Sequence, residues 1–157
     1  MNLFFKNHGL SIILLIVITF FIYSHTLYYP FHYDDDQVIV KNNSIRELSN
    51  FNKIFSDNPS RILLTFSFAL NYYFGKLNLF GYHLVNISLH IINAITIYFI
   101  LYNILMNFNV YASSIVYSLS LLPALVFSFH PVTVESVTYI SSRSGVLCTA
   151  FYLFYFL

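Results

Sequence analysis

The sequence predicts an all-α membrane protein, with about four transmembrane helices and a long first loop that carries a surface-lying or re-entrant helix. Three observations predict it. Of the 157 residues, 58% are hydrophobic and only 8% are charged, too little charge to cover a soluble domain of this size. Aromatic residues make up 20% of the chain, all of them Phe and Tyr, and such rings suit a lipid-facing surface with Tyr at the headgroup level. The apolar residues also gather into four long runs separated by polar segments.

The first run covers about 10–29. Lys6 ahead of it imitates the start of a signal peptide. The run, however, has the ~20 residues of a span rather than the ~7–15 of a signal core, and no small-residue cleavage pattern follows. It is expected to be a retained first helix. The loop 30–81 holds most of the charge. Inside it, Arg61 to Phe74 is apolar and aromatic, bounded by Asn58-Pro59 and Gly75, and falls short of a span. The remaining spans are expected at about 82–105, 115–129 and 145–157. A helix in lipid must complete its own backbone hydrogen bonds, so a run still apolar at Leu157 predicts a single polytopic region, 1–157, that is the front piece of a longer protein.

If the loop helix does not span, 30–81 and 130–144 share one face of the membrane, and 1–9 and 106–114 share the other. All six acidic residues then lie in one aqueous compartment: Asp34, Asp35, Asp36, Glu47, Asp57 and Glu135. Lys6 and His8 remain opposite. Charge bias does not orient the chain, because the rule loses force over long loops. A net charge of +1 excludes a nucleic-acid partner, which would require a basic patch. Cys148 is the one cysteine and forms no internal disulfide. A Gly-rich phosphate loop, a nucleophile elbow and a paired-Cys metal site are all missing from the sequence.

Three motifs carry chemistry. Tyr33-Asp34-Asp35-Asp36 places three carboxylates side by side, whose repulsion favours protonation of one of them. Such a group serves as a general base or holds a divalent cation; as a solvated turn ending a helix it does neither, and spacing alone leaves these readings even. His83, Asn86, His90 and Asn93 recur at helical spacing on one face of the second span. Intramembrane polar groups line a cavity or tie helices together. Asn93 reads as such a tie and His83, at the helix mouth, as a ligand. His130-Pro131-Val132-Thr133-Val134-Glu135, with Ser141-Ser142-Arg143 following, supplies an imidazole, a carboxylate and a guanidinium able to clamp phosphate. Arg143 is the strongest single candidate, since a lone cation entering a helix requires an anion; the plain alternative is a pair with Glu135 or a lipid headgroup.

Taken in order, these residues resemble a known family. Phe31-His32-Tyr33-Asp34-Asp35-Asp36 through Asn43, Arg61 before Leu63-Leu64-Thr65 and Asn71, Tyr82-His83-Leu84-Val85-Asn86 with His90, and Phe129-His130-Pro131-Val132 with Glu135 and Arg143 are similar to the membrane half of the transmembrane-and-TPR O-mannosyltransferases and their bacterial relatives, of the GT-C superfamily. The resemblance implies a partial GT-C fold. It also implies transfer of a sugar from a polyprenyl-phosphate donor to a hydroxyl of an acceptor protein or glycan, on the extracytoplasmic or luminal side. An acidic residue of the first loop would be the base: Asp35 first by position, then Asp34, with Asp36 in the same run. Arg143, His130, Glu135, His83 and Arg61 would line the donor cavity, Arg143 facing the phosphate. A metal is not specified, and the partners implied are membrane lipid, donor and acceptor. The membrane would be the bacterial inner membrane, with the endoplasmic reticulum as the alternative.

Two positions depart from the family pattern. Ile62 stands where proline usually follows the loop arginine, and Gly145 where an aspartate usually follows the second arginine. Further spans and TPR repeats are not in this sequence, so the chain is expected to be inactive by itself. A non-catalytic accessory or scaffold module is the competing reading, in which the polar stripe is helix glue and the aspartates a cap. A small transporter ranks below both, because no acidic residue lies within a span.

Overall fold

The computed structural model describes residues 3–108 and 113–157. Side chains before His8, that of Lys6 included, lie outside the description, as does part of the 106–114 connection. Among the described residues the regular structure is all helical: α1 (Leu3–Tyr23), α2 (Phe51–Asp57), α3 (Ile62–Gly75), α4 (Leu79–Asn107), α5 (Ser113–Phe129), α6 (Pro131–Thr138) and α7 (Arg143–Phe156). A π-helical turn, Asp36–Val40, follows the acidic run.

Two of these are long and apolar enough to cross a bilayer: the His8–Thr26 stretch of α1 with its 3₁₀ extension, and α4. The third expected span, 115–129, ends at Phe129, and α6 departs from α5 at 60°. Pro131 has no N–H to continue the ladder and drives His130 into an extended conformation (φ −64°, ψ 132°). If that bent pair counts as one crossing, there are three. The fourth expected span forms a helix of 14 residues, about 21 Å long at 1.5 Å per residue and shorter than the hydrocarbon core. α3 likewise has 14 residues and lies within the first loop, as its length predicts.

α4 is the central element, packed against α5, α7 and α1. Its N-terminus is capped by Asn78, whose side chain accepts from the Phe80 N–H at 3.1 Å. Leu15, Ala94, Tyr98 and Ala124 are buried where α1, α4 and α5 meet. The first loop is more than a polar connection. Its Ile39, Ile45 and Ile54 are fully buried against Leu64, Phe68 and Tyr82, so 30–75 folds as a cap seated on the mouth of α4. Large apolar side chains on α1, α5 and α7, including Phe21, Leu122, Phe151 and Tyr155, stay exposed, as a lipid-facing surface requires.

Candidate functional site

The acidic turn comes first in the chain. Tyr33 adopts φ 48°, in the left-handed region, and this sends the next three carboxylates in different directions. Asp35 turns inward and is 1% exposed. Its Oδ2 accepts from the His32 N–H at 3.1 Å, and its Oδ1 accepts from the Ser141 N–H at 2.8 Å and from the Ser141 hydroxyl. Asp36 is half-exposed and ion-paired with Lys41. Asp34 stays exposed, and among the described residues no cation pairs with it. The Asp34 N–H donates to the Tyr139 hydroxyl at 3.1 Å, while the Tyr139 ring packs edge-on to Tyr33. The acidic turn therefore touches the α6–α7 connection, 105 residues later in the chain.

Arg143 opens α7 and is completely buried. Nε donates to Asn86 Oδ1 at 2.7 Å, Nη1 to Ser67 Oγ at 3.0 Å and Asn71 Oδ1 at 2.8 Å, and Nη2 to the Tyr82 carbonyl at 2.9 Å. The guanidinium also stacks over Phe68, 4.5 Å from the ring centre. Burial pulls its pKa down to about 9, against the pull of Tyr82 and Asp35, so it is cationic at neutral pH. Neutral acceptors replace water around the charge, and among the described residues no carboxylate comes within ion-pair distance. Arg143 thus joins α3, α4 and α7 from the inside.

The remaining predicted residues divide between interior and surface. His83 is buried, and its Nε2 donates to the Tyr29 carbonyl at 2.9 Å, which leaves Nδ1 as a buried lone pair without a partner among the described residues. Asn86 donates to the carbonyls of Val137, Tyr139 and Ile140, His90 to that of Ser128, and Asn93 to that of Val146. The α4 stripe is a set of ties to α5, α6, α7 and the segment that follows α1. His130 is exposed and caps α6, its Nδ1 accepting from the Val132 N–H at 3.2 Å. Glu135 is exposed on α6.

Arg61 is exposed at the start of α3 and borders two cavities. One, of about 550 Å³, runs between α3 and α7 and is lined largely by apolar groups, Leu63, Leu147 and Phe151 among them. The other, of about 370 Å³, is polar, with Gln37, Asn43, Asp57 and Asn58 in its walls. Among the described residues no group of three His, Cys, Asp or Glu side chains is arranged around a metal position.

Sequence reasoning missed Ser67, Asn71 and Tyr82 as partners of Arg143, and gave no role to Tyr139 and Ser141. Ser67 and Asn71 stand four apart on α3, one helical turn, and that spacing was the available signal.

No family model matches the chain, and no solved structure matches it. It is 33% identical to protein O-mannosyl-transferase tmtc2 of Xenopus laevis over 146 residues, covering 84% of this chain and 16% of that protein. It is 31% identical to human protein O-mannosyl-transferase TMTC4 over 147 residues (81% of this chain, 20% of that protein). It is 29% identical to protein O-mannosyl-transferase F38B6.6 of Caenorhabditis elegans over 165 residues (94% and 23%). The chain spans between a sixth and a quarter of the length of these curated relatives. By this similarity, which runs through the ordered motifs of its sequence, the chain is a homologue of a segment of the TMTC protein O-mannosyl-transferases.

Proposed function

We propose that this chain is the portion of a membrane O-mannosyltransferase that carries the catalytic base and one wall of the lipid-donor site. The observation that supports it best is the exposed, unpaired Asp34 carboxylate. Its neighbours leave it free: Asp35 has both oxygens committed to His32 and Ser141, and Asp36 is held by Lys41. Asp34 rather than Asp35 is therefore the residue available to an acceptor hydroxyl. In the reaction, Asp34 takes the hydroxyl proton as the acceptor oxygen bonds to the sugar C1. The C1–O bond to phosphate breaks, and the polyprenyl phosphate departs with the electron pair.

Arg61, in place of the buried Arg143, faces the phosphate, because it is exposed at the end of an apolar groove suited to a prenyl chain. His130 and Glu135, exposed across the α6 connection, border the acceptor side. The site faces the lumen or the extracytoplasmic space. The animal origin of the relatives favours the endoplasmic reticulum over the bacterial inner membrane.

The test is sugar transfer from polyprenyl-phosphate mannose by the full-length gene product. Asp34→Asn is expected to lower the rate by about 100-fold or more, the scale of a lost general base, at unchanged protein yield. Undiminished transfer by Asp34→Asn would remove it from that role.

A further inference from the structure

The polar cleft beside Arg61 has walls ordered by hydrogen bonds of their own. Asn42 is locked in place, its Oδ1 accepting from both the N–H and the hydroxyl of Ser44 at 2.7 Å. Its Nδ2 donates to Asp57 Oδ2 at 3.1 Å, which holds that carboxylate in one orientation with Oδ1 left to accept. Asn58 is held similarly, its Oδ1 accepting from the Ser60 hydroxyl at 2.8 Å, so its two amide hydrogens remain to donate. Gln37 and Asn43 add exposed carboxamides at the rim. The cation in the wall that is already neutralised, Lys41, is paired with Asp36.

Apart from Arg61, which faces the phosphate in the reading above, the wall offers planar donors and acceptors, those of Asp57 and Asn58 steadied by second hydrogen bonds, which match the hydroxyls of a polyol. At about 370 Å³ the cleft lies in the range of small-ligand sites, roughly 300–1,000 Å³. Its position is equally specific. Arg61 and Leu64 line both this cleft and the apolar groove, so a molecule anchored by an anion at Arg61 reaches into both. Gln37 lies one turn after Asp34, whose carbonyl accepts the Gln37 N–H at 3.0 Å.

We propose that this cleft is the hexose-specificity site of the donor, in which Asp57 accepts from one sugar hydroxyl and the Asn58 amide donates to another. The inference rests on the reading of Arg61 as the phosphate anchor. It adds that the cap formed by 30–75, rather than the spanning helices, distinguishes a sugar-bearing lipid from a bare one.

The experiment compares binding of two probes to the full-length protein in lipid nanodiscs: a short polyprenyl-phosphate mannose, and the same polyprenyl phosphate without sugar. The unaltered protein is expected to bind the mannosyl lipid about tenfold more tightly, about 1.4 kcal/mol. Asp57→Ala combined with Asn58→Ala should bind both probes equally and retain the affinity for the bare lipid, which also reports that the variant is folded. Arg61→Ala should weaken both. Free methyl α-mannoside, tested on the unaltered protein, should compete away the tenfold advantage and leave bare-lipid binding untouched. Equal binding of the two probes by the unaltered protein, or an advantage that survives in the double variant or under competition, would overturn the sugar site while leaving the donor groove intact. Failure of the unaltered protein to bind either lipid would overturn the donor groove itself, and the sugar site with it.

Discussion

Tyr33 at φ 48° accepts a conformation that costs an ordinary residue about 1–2 kcal/mol. Contacts on both sides of it compensate: the Tyr139 ring against its own, and Asp35 bonded to His32 and Ser141. The result separates three carboxylates that are indistinguishable as a run of letters. Nothing in Tyr33-Asp34-Asp35-Asp36 announces which side chain turns inward, since left-handed backbone is rarely signalled by a tyrosine. That is why sequence position favours Asp35 as the base while the reading proposed above favours Asp34. Asp35→Asn keeps the shape but turns one of the two acceptor oxygens into a donor, which then faces the N–H of either His32 or Ser141. It is expected to cost about 1–3 kcal/mol, the penalty of leaving buried groups unsatisfied. Thermal unfolding in detergent measures this, and an unchanged midpoint would mean that Asp35 is not the tie described here.

Among the elements, α4 was the most legible. His83, Asn86, His90 and Asn93 follow the helical period, and all four are buried and bonded across to other segments. The period identified the face but not the difference in weight between its members. Asn93 makes one bond, to the Val146 carbonyl, and Asn93→Leu is expected to cost about 0.6 kcal/mol, the mean for an interhelical hydrogen bond. Asn86 also accepts from the buried Arg143. Removing one partner of a buried charge costs more, so Asn86→Leu is expected to lose about 3 kcal/mol or more. Equal losses, read by the same unfolding assay, would contradict the account of Arg143 as the junction of α3, α4 and α7. The break between α5 and α6 was legible as His130-Pro131, because proline restricts its predecessor whatever the surroundings. The burial of Ile39, Ile45 and Ile54 was not, since spacings of six and nine follow neither the helical nor the strand period.

Across the whole molecule, composition was enough to predict a helical membrane protein, because lipid leaves the backbone few alternatives. What it did not supply was the seating of the cap on the helix bundle. Asp35 and Ser141, 106 residues apart, bond directly, and Arg143 draws α3 of the cap onto α4 and α7. The acidic turn and the α6–α7 connection thus form one surface, and the proposed chemistry depends on that surface meeting one aqueous compartment. Thiol labelling in sealed vesicles tests this most directly, using Asp34→Cys and Glu135→Cys each made in a Cys148→Ser background and a membrane-impermeant reagent. Both positions are expected to react from the same side of the membrane; reaction from opposite sides would put the acidic turn and the α6–α7 connection in different compartments and dissolve the proposed site.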